Sequence, residues 1–145
     1  MNNQLKNNIT SQFPSLFVKA NGRDSIRYIS CGQGWSQIIL NLSKKLDGLV
    51  RNSGVDEADW PKVIQIKEKF GKLCYYVNGD AGIENFHTTI TEAEALANKC
   101  CENCSESDLV ETKAWGTTSW QKTLCQSCGD KYSKDGWKSF EGELK

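Results

Sequence analysis

Two cysteine pairs constrain this chain more than any other feature: Cys101 and Cys104 in CCENC, and Cys125 and Cys128 in LCQSC, spaced C-x2-C-x20-C-x2-C. Two residues between thiols let a tight turn aim both sulfurs at one point, and two such turns supply the four-thiolate set that tetrahedral zinc accepts. The spacing predicts one structural zinc per chain, bound by Cys101, Cys104, Cys125 and Cys128. A four-thiolate shell is closed and leaves no position at which water is activated, so the metal serves the fold rather than catalysis. Cys100 is the rival to Cys101. Choosing it puts three residues before Cys104 where the second pair has two, and Cys100 also completes the apolar stripe of a helix. Cys31 and Cys74 stand alone and read as packing residues, while His87 is remote from both pairs and reads as a surface or satisfied histidine.

An odd total of seven cysteines at short regular spacing suits metal binding in a reducing compartment better than disulfides. The opening MNNQLKNNITSQ lacks the apolar run of a signal peptide, and no stretch approaches the eighteen or so apolar residues of a membrane span. A cytoplasmic location without membrane contact is the expectation. The formal net charge is zero, yet residues 1 to 72 carry eleven Lys or Arg against six acids, and residues 73 to 145 carry seven against twelve. Four thiolates on one divalent zinc make the cysteine-rich half more acidic still. Phosphate-backbone binding through that half is disfavoured, because it relies on Lys and Arg displacing counterions.

Periodicity predicts an α+β fold. Trp35, Ile38, Ile39, Leu42, Leu46, Leu49 and Val50 form one helical stripe, and Ile83, Phe86, Ile90, Ala93, Ala97 and Cys100 form a second. Between them, WPKVIQIKEKFGKLCYYVNGD reads as a β-hairpin with Ile64 opposite Val77 and Ile66 opposite Tyr75. A positive φ at Phe70 is unfavourable, so a longer loop with Gly71 left-handed is expected. A weak strand signal lies in 13 to 30, with Ile26, Tyr28 and Ser30 on one face. The expected architecture is a small antiparallel sheet packed on two amphipathic helices, followed by the cysteine module. In that module, strand-like runs at 109 to 114 and 119 to 124 surround Gly116, and a short helix follows Cys125. Knuckle, hairpin and helix in that order resemble a treble-clef zinc finger with four cysteine ligands. The implied division is a mobile segment 1–12, a core domain 13–98, a zinc-finger module 99–137 and a tail 138–145.

No phosphate loop, nucleophile elbow or H-E-x-x-H motif occurs, and a zinc-deaminase arrangement lacks its Glu spacing and its proline before the second C-x2-C. The chain therefore reads as a non-enzymatic binding module. The candidate binding surface is the basic hairpin face of Lys67, Lys69 and Lys72, joined by Trp35, Tyr76, Arg23 and Arg27. A solvated edge that discourages strand addition is the structural alternative for those lysines. CGQGW offers glycines before a helix, read as a plain turn in preference to an anion cradle. Trp115, Trp120 and Trp137 are either interface anchors or filling for a small finger.

CGQGW, VIQIKEKFGKLCYYV, AEALANKCCENC and WQKTLCQSC together resemble a widespread, largely uncharacterised family of small bacterial and bacteriophage zinc-binding proteins. The likeness covers roughly residues 31 to 130 and departs from the family pattern at Cys74, where Arg is common. It implies a fold and a metal, with a phage or prophage origin and the host cytoplasm as location. The expected function is binding or sequestering a host protein partner or a small anionic ligand. Nucleic-acid binding is the second reading, and an enzyme acting on a nucleotide-like substrate the third.

Overall fold

The stripe that begins at Trp35 becomes the centre of the molecule. A computed structural model describes residues 1–17, 29–107, 113–116, 121–133 and 138–139. In chain order the elements are α1 (Asn3–Gln12), β1 (Ile29–Ser30), α2 (Ser36–Arg51), β2 (Val63–Lys69), β3 (Lys72–Val77), α3 (Phe86–Ala97), β4 (Lys113–Gly116), β5 (Gln121–Leu124), α4 (Gln126–Ser133) and β6 (Lys138–Ser139). No helix among the described residues is long and apolar enough to cross a membrane.

The α+β fold follows from two helical stripes closing on one sheet face. Ile39, Leu42, Leu46 and Val50 of α2 and Phe86, Ile90, Ala93 and Ala97 of α3 share a core with Ile66, Leu73 and Tyr75 of the sheet. Ile83 and Cys100 extend that core at the two ends of α3. One buried polar pair crosses it, Ser43 Oγ to the Tyr75 hydroxyl at 2.9 Å, so neither oxygen is left unpaired. Glu94 of α3 accepts the backbone N–H of Tyr75 at 3.0 Å, covering part of the outer edge of β3.

The first sheet is mixed rather than purely antiparallel. β2 and β3 form the expected antiparallel hairpin, while β1 runs parallel to β2 with Ile29 beside Ile66 and Ser30 beside Lys67. A parallel neighbour needs a long crossover, and the chain supplies one through α2. Ile29 is therefore the inward residue of β1, and most of the strand signal in 13 to 30 lies outside the described residues. Ile66 does oppose Tyr75, but an irregularity between Val63 and Gln65 sets Val63 against Val77 and leaves Ile64 56% exposed. An extra residue in a strand inverts its alternation, and sequence spacing does not show where it falls.

At the hairpin tip, Lys69 opposes Lys72 across a two-residue turn in which Phe70 has φ 51° and Gly71 φ 79°. The expected longer loop is absent. Two positive φ values give the turn whose twist matches the strands, at a cost of about 1–2 kcal/mol for a side chain held left-handed at Phe70.

The opening segment, expected to be mobile, forms α1. Asn2 caps it by accepting the Leu5 N–H at 2.9 Å, and Ile9, Phe13 and Leu16 are buried against the main core. Beyond α3, a second antiparallel sheet in the order β5-β4-β6 and the helix α4 surround a small separate core of Cys101, Leu124, Cys125 and Cys128, edged by Tyr132.

Candidate metal centre and adjoining cleft

Each cysteine pair is aimed by its own turn. In the first, the Cys101 N–H donates to the Glu106 carbonyl at 2.7 Å and the Ser105 N–H to the Cys101 carbonyl at 3.0 Å, with Ser105 left-handed at φ 75°. In the second, Cys125 follows the end of β5 and Cys128 lies in the first turn of α4. There the Cys128 N–H points at the Cys125 sulfur from 3.5 Å and the Gly129 N–H donates to the Cys125 carbonyl at 2.8 Å. The Glu102 N–H donates to the Thr123 carbonyl at 2.9 Å and brings the two turns face to face.

The four sulfurs of Cys101, Cys104, Cys125 and Cys128 lie within 4.8 Å of one another, with Cys104 and Cys125 3.6 Å apart. These four residues can hold a metal ion. Cys101, Cys125 and Cys128 are buried and Cys104 is exposed. Burial alone raises a thiol's pKa, yet Cys128 is held below its ordinary value by hydrogen bonds from Asn103 Nδ2, at 3.3 Å, and from neighbouring cysteines. That favours the thiolate a metal requires at Cys128, whereas burial pushes the Cys125 thiol up. At Cys104 the lowering effect of a backbone hydrogen bond at Glu106 is outweighed by burial and the cysteine neighbours, which push the thiol up. Cys100 turns the other way, its thiol buried in the main core toward the Gly34 carbonyl at 3.6 Å.

CGQGW proves to be the seat of the first knuckle. The Gly34 N–H donates to the Glu102 carbonyl at 2.6 Å, the Gly32 N–H donates to the Glu102 carboxylate at 2.9 Å, and the Ser105 hydroxyl donates to the Gly34 carbonyl at 2.8 Å. A Cβ on Gly34 would lie 2.2 Å from the Cys101 carbonyl oxygen, and one on Gly32 2.4 Å from that of Glu102. Only glycine lets the backbones approach this closely. The anion that meets these glycines is thus the chain's own Glu102. A second tie joins the hairpin tip to the finger, where the Thr123 hydroxyl donates to the Gly71 carbonyl at 2.7 Å.

Between these ties lies a cleft of about 560 Å³, lined by residues that include Lys67, Lys69, Phe70, Glu68, Glu102 and Lys122. Glu102 is 1% exposed, and its Oε2 accepts from Gly32 and from Lys122 Nζ at 3.1 Å. Its Oε1 is buried and meets no donor among the described residues. Burial pushes the Glu68 carboxyl above its usual range, the Gly71 N–H opposes that rise, and nearby Glu102 adds to it.

Of the residues expected to bind a ligand or partner, Lys67 and Lys69 come together at this cleft. Lys72 is exposed across the turn from Lys69, and Tyr76 is exposed on β3; neither lines the cleft. Trp35 does not belong to a binding surface: it is fully buried, and its indole N–H donates to the Cys100 carbonyl at 3.0 Å. Arg23 and Arg27 lie outside the described residues, as do the side chains of Trp115, Trp120 and Trp137. Glu102 and Lys122 were not legible as site residues, since nothing in a C-x2-C spacing reports which way an intervening acid turns. Comparison of the chain with family models, with curated proteins and with solved structures finds no match to any of them.

Proposed function

We propose that this chain is a non-enzymatic, zinc-stabilised binding module in which one structural zinc locks a treble-clef-like finger onto an α+β core, and the seam between them receives a small anionic ligand. The observation that carries this reading is the sulfur cluster. A tetrahedron with Zn–S bonds of about 2.3 Å has S–S edges of about 3.8 Å. The 3.6 Å separation of Cys104 and Cys125, within a cluster spanning no more than 4.8 Å, fits that frame. The soft, all-thiolate donor set suits zinc and closes its shell. The succession of knuckle, β4–β5 and α4 supports the treble-clef description. The KEKFG block and paired cysteines support membership of the bacterial and bacteriophage family they resemble.

Zinc has a structural task here because, among the described residues, the finger's own core is four residues and one partly buried tyrosine. Binding free energies of about 10–16 kcal/mol are typical of structural zinc in finger peptides, far more than so small a core supplies. Chelation is the test. Removal of zinc is expected to abolish amide-exchange protection in residues 99–107 and 121–133 and to loosen Gly32 and Gly34, which rest on Glu102, while α2 and α3 stay protected. Unchanged protection of the finger after zinc has left would defeat the reading.

A further inference from the structure

We propose that the cleft between the hairpin tip and the first cysteine turn binds a nucleoside monophosphate, a ligand class that rests on the binding-module reading above. Three features of the cleft each ask for one part of such a ligand. The buried Oε1 of Glu102 is an acceptor with no donor among the described residues, and a buried oxygen of this kind calls for an N–H or O–H. Every nucleobase offers an N–H on its hydrogen-bonding edge.

Lys67 and Lys69 supply the second feature. They lie on one face of β2, both border the cleft, and no ion pair joins either to a described residue, whereas Lys122 is already committed to Glu102. Two such ammonium groups on a rigid strand suit a phosphate.

The third feature is Phe70, which is 70% exposed and sits at φ 51° on the rim. An aromatic side chain held in a strained conformation and left in water has no packing reason to be there. Its ring face is a platform for a base, a contact that accepts any base. The cleft volume of about 560 Å³ falls within the ordinary range for small-molecule sites. A larger groove of about 800 Å³ between α2 and α3 lacks the orphaned acceptor: among the described residues, Glu102 Oε1 is the buried side-chain atom without a partner.

The test uses the full zinc-loaded chain, titrated with AMP, GMP, CMP, UMP and inorganic phosphate and followed by amide chemical shifts and calorimetry. At least one mononucleotide is expected to bind ten times more tightly than phosphate or better, shifting the amide signals of Gly32, Phe70, Gly71 and Glu102. Phe70→Gly, which relieves the backbone, is expected to melt no lower than wild type and to keep its zinc content while binding that nucleotide at least tenfold more weakly. Lys67→Gln with Lys69→Gln should weaken nucleotide and phosphate alike. Glu102→Gln should weaken the nucleotide but leave phosphate binding no weaker. Phosphate binding as tightly as every nucleotide, nucleotide affinity unchanged in the folded Phe70→Gly chain, or no shift at about 10 mM nucleotide would overturn the proposal. Tighter binding of a single-stranded oligonucleotide than of any mononucleotide would also overturn it. Failure here with one zinc in place leaves the zinc-stabilised module standing, whereas absence of zinc from the wild-type chain defeats that module itself.

Discussion

Gly34 sits where two backbones meet, its amide 2.6 Å from the Glu102 carbonyl and its missing Cβ occupying a point 2.2 Å from the carbonyl oxygen of Cys101. Because the obstacle is backbone, no rotamer relieves it. Gly34→Ala is expected to cost more than about 2 kcal/mol in denaturant unfolding. Gly48, inside α2 with no atom within 4 Å of where a Cβ would stand, is the control: Gly48→Ala should gain about 0.5–1 kcal/mol. Equal stabilities for the two variants would remove the close approach from the description. Cys31 gives a second test. Burial, then the nearby Glu102 carboxylate, pushes its thiol from 9.0 up to about 12. A thiol kept protonated by folding contributes stability that is intact below pH 9 and is lost as pH rises toward 12, at about 1.4 kcal/mol per pH unit. Burial of Tyr75, only partly offset by its Ser43 hydrogen bond, adds a loss of the same sign above pH 10. Unfolding midpoints measured from about pH 8 to 11 should fall, and in Cys31→Ala the fall between about pH 9 and 10 should flatten.

Both helices could be read from their spacing because an apolar stripe of period 3.6 has one cause, a buried face, and every residue named in the second stripe is in the core. The cysteine turns were legible for a similar reason, since two residues between thiols leave few ways to aim both sulfurs. The hairpin was legible as a pair of strands but not in its details. Whether Val63 or Ile64 faces inward depends on an irregularity fixed by tertiary contacts, and Phe70 accepts a left-handed φ because the strand twist and the tie from Thr123 to Gly71 fix the turn. A strand was legible in 13 to 30, but the parallel pairing of β1 with β2 and the capped helix α1 were not, because each is held by contacts distant in sequence. The register makes a contrast testable. Ile66→Asp buries an unpaired charge between α2 and the sheet and should leave the chain largely unfolded by circular dichroism. Ile64→Asp, two residues away and outward, should stay within about 0.5–1 kcal/mol of wild type.

Across the whole molecule, the main core and the cysteine cluster are separate packing units joined along one seam. Gly32 and Gly34 receive the first cysteine turn, Gly71 receives Thr123, and the Glu102–Lys122 pair lies between them. The glycines of CGQGW therefore seat the cysteine cluster from about seventy residues upstream, a relation that spacing within the cysteine motif cannot express. It follows that a metal holding Cys101 and Cys104 also holds the wall of the cleft. The most direct measurement is the mass of the full-length native chain, in wild type and in Cys125→Ser. One zinc per wild-type chain and none in the variant is the predicted result; a wild-type chain purified without zinc, or a variant that keeps a full equivalent, would contradict it.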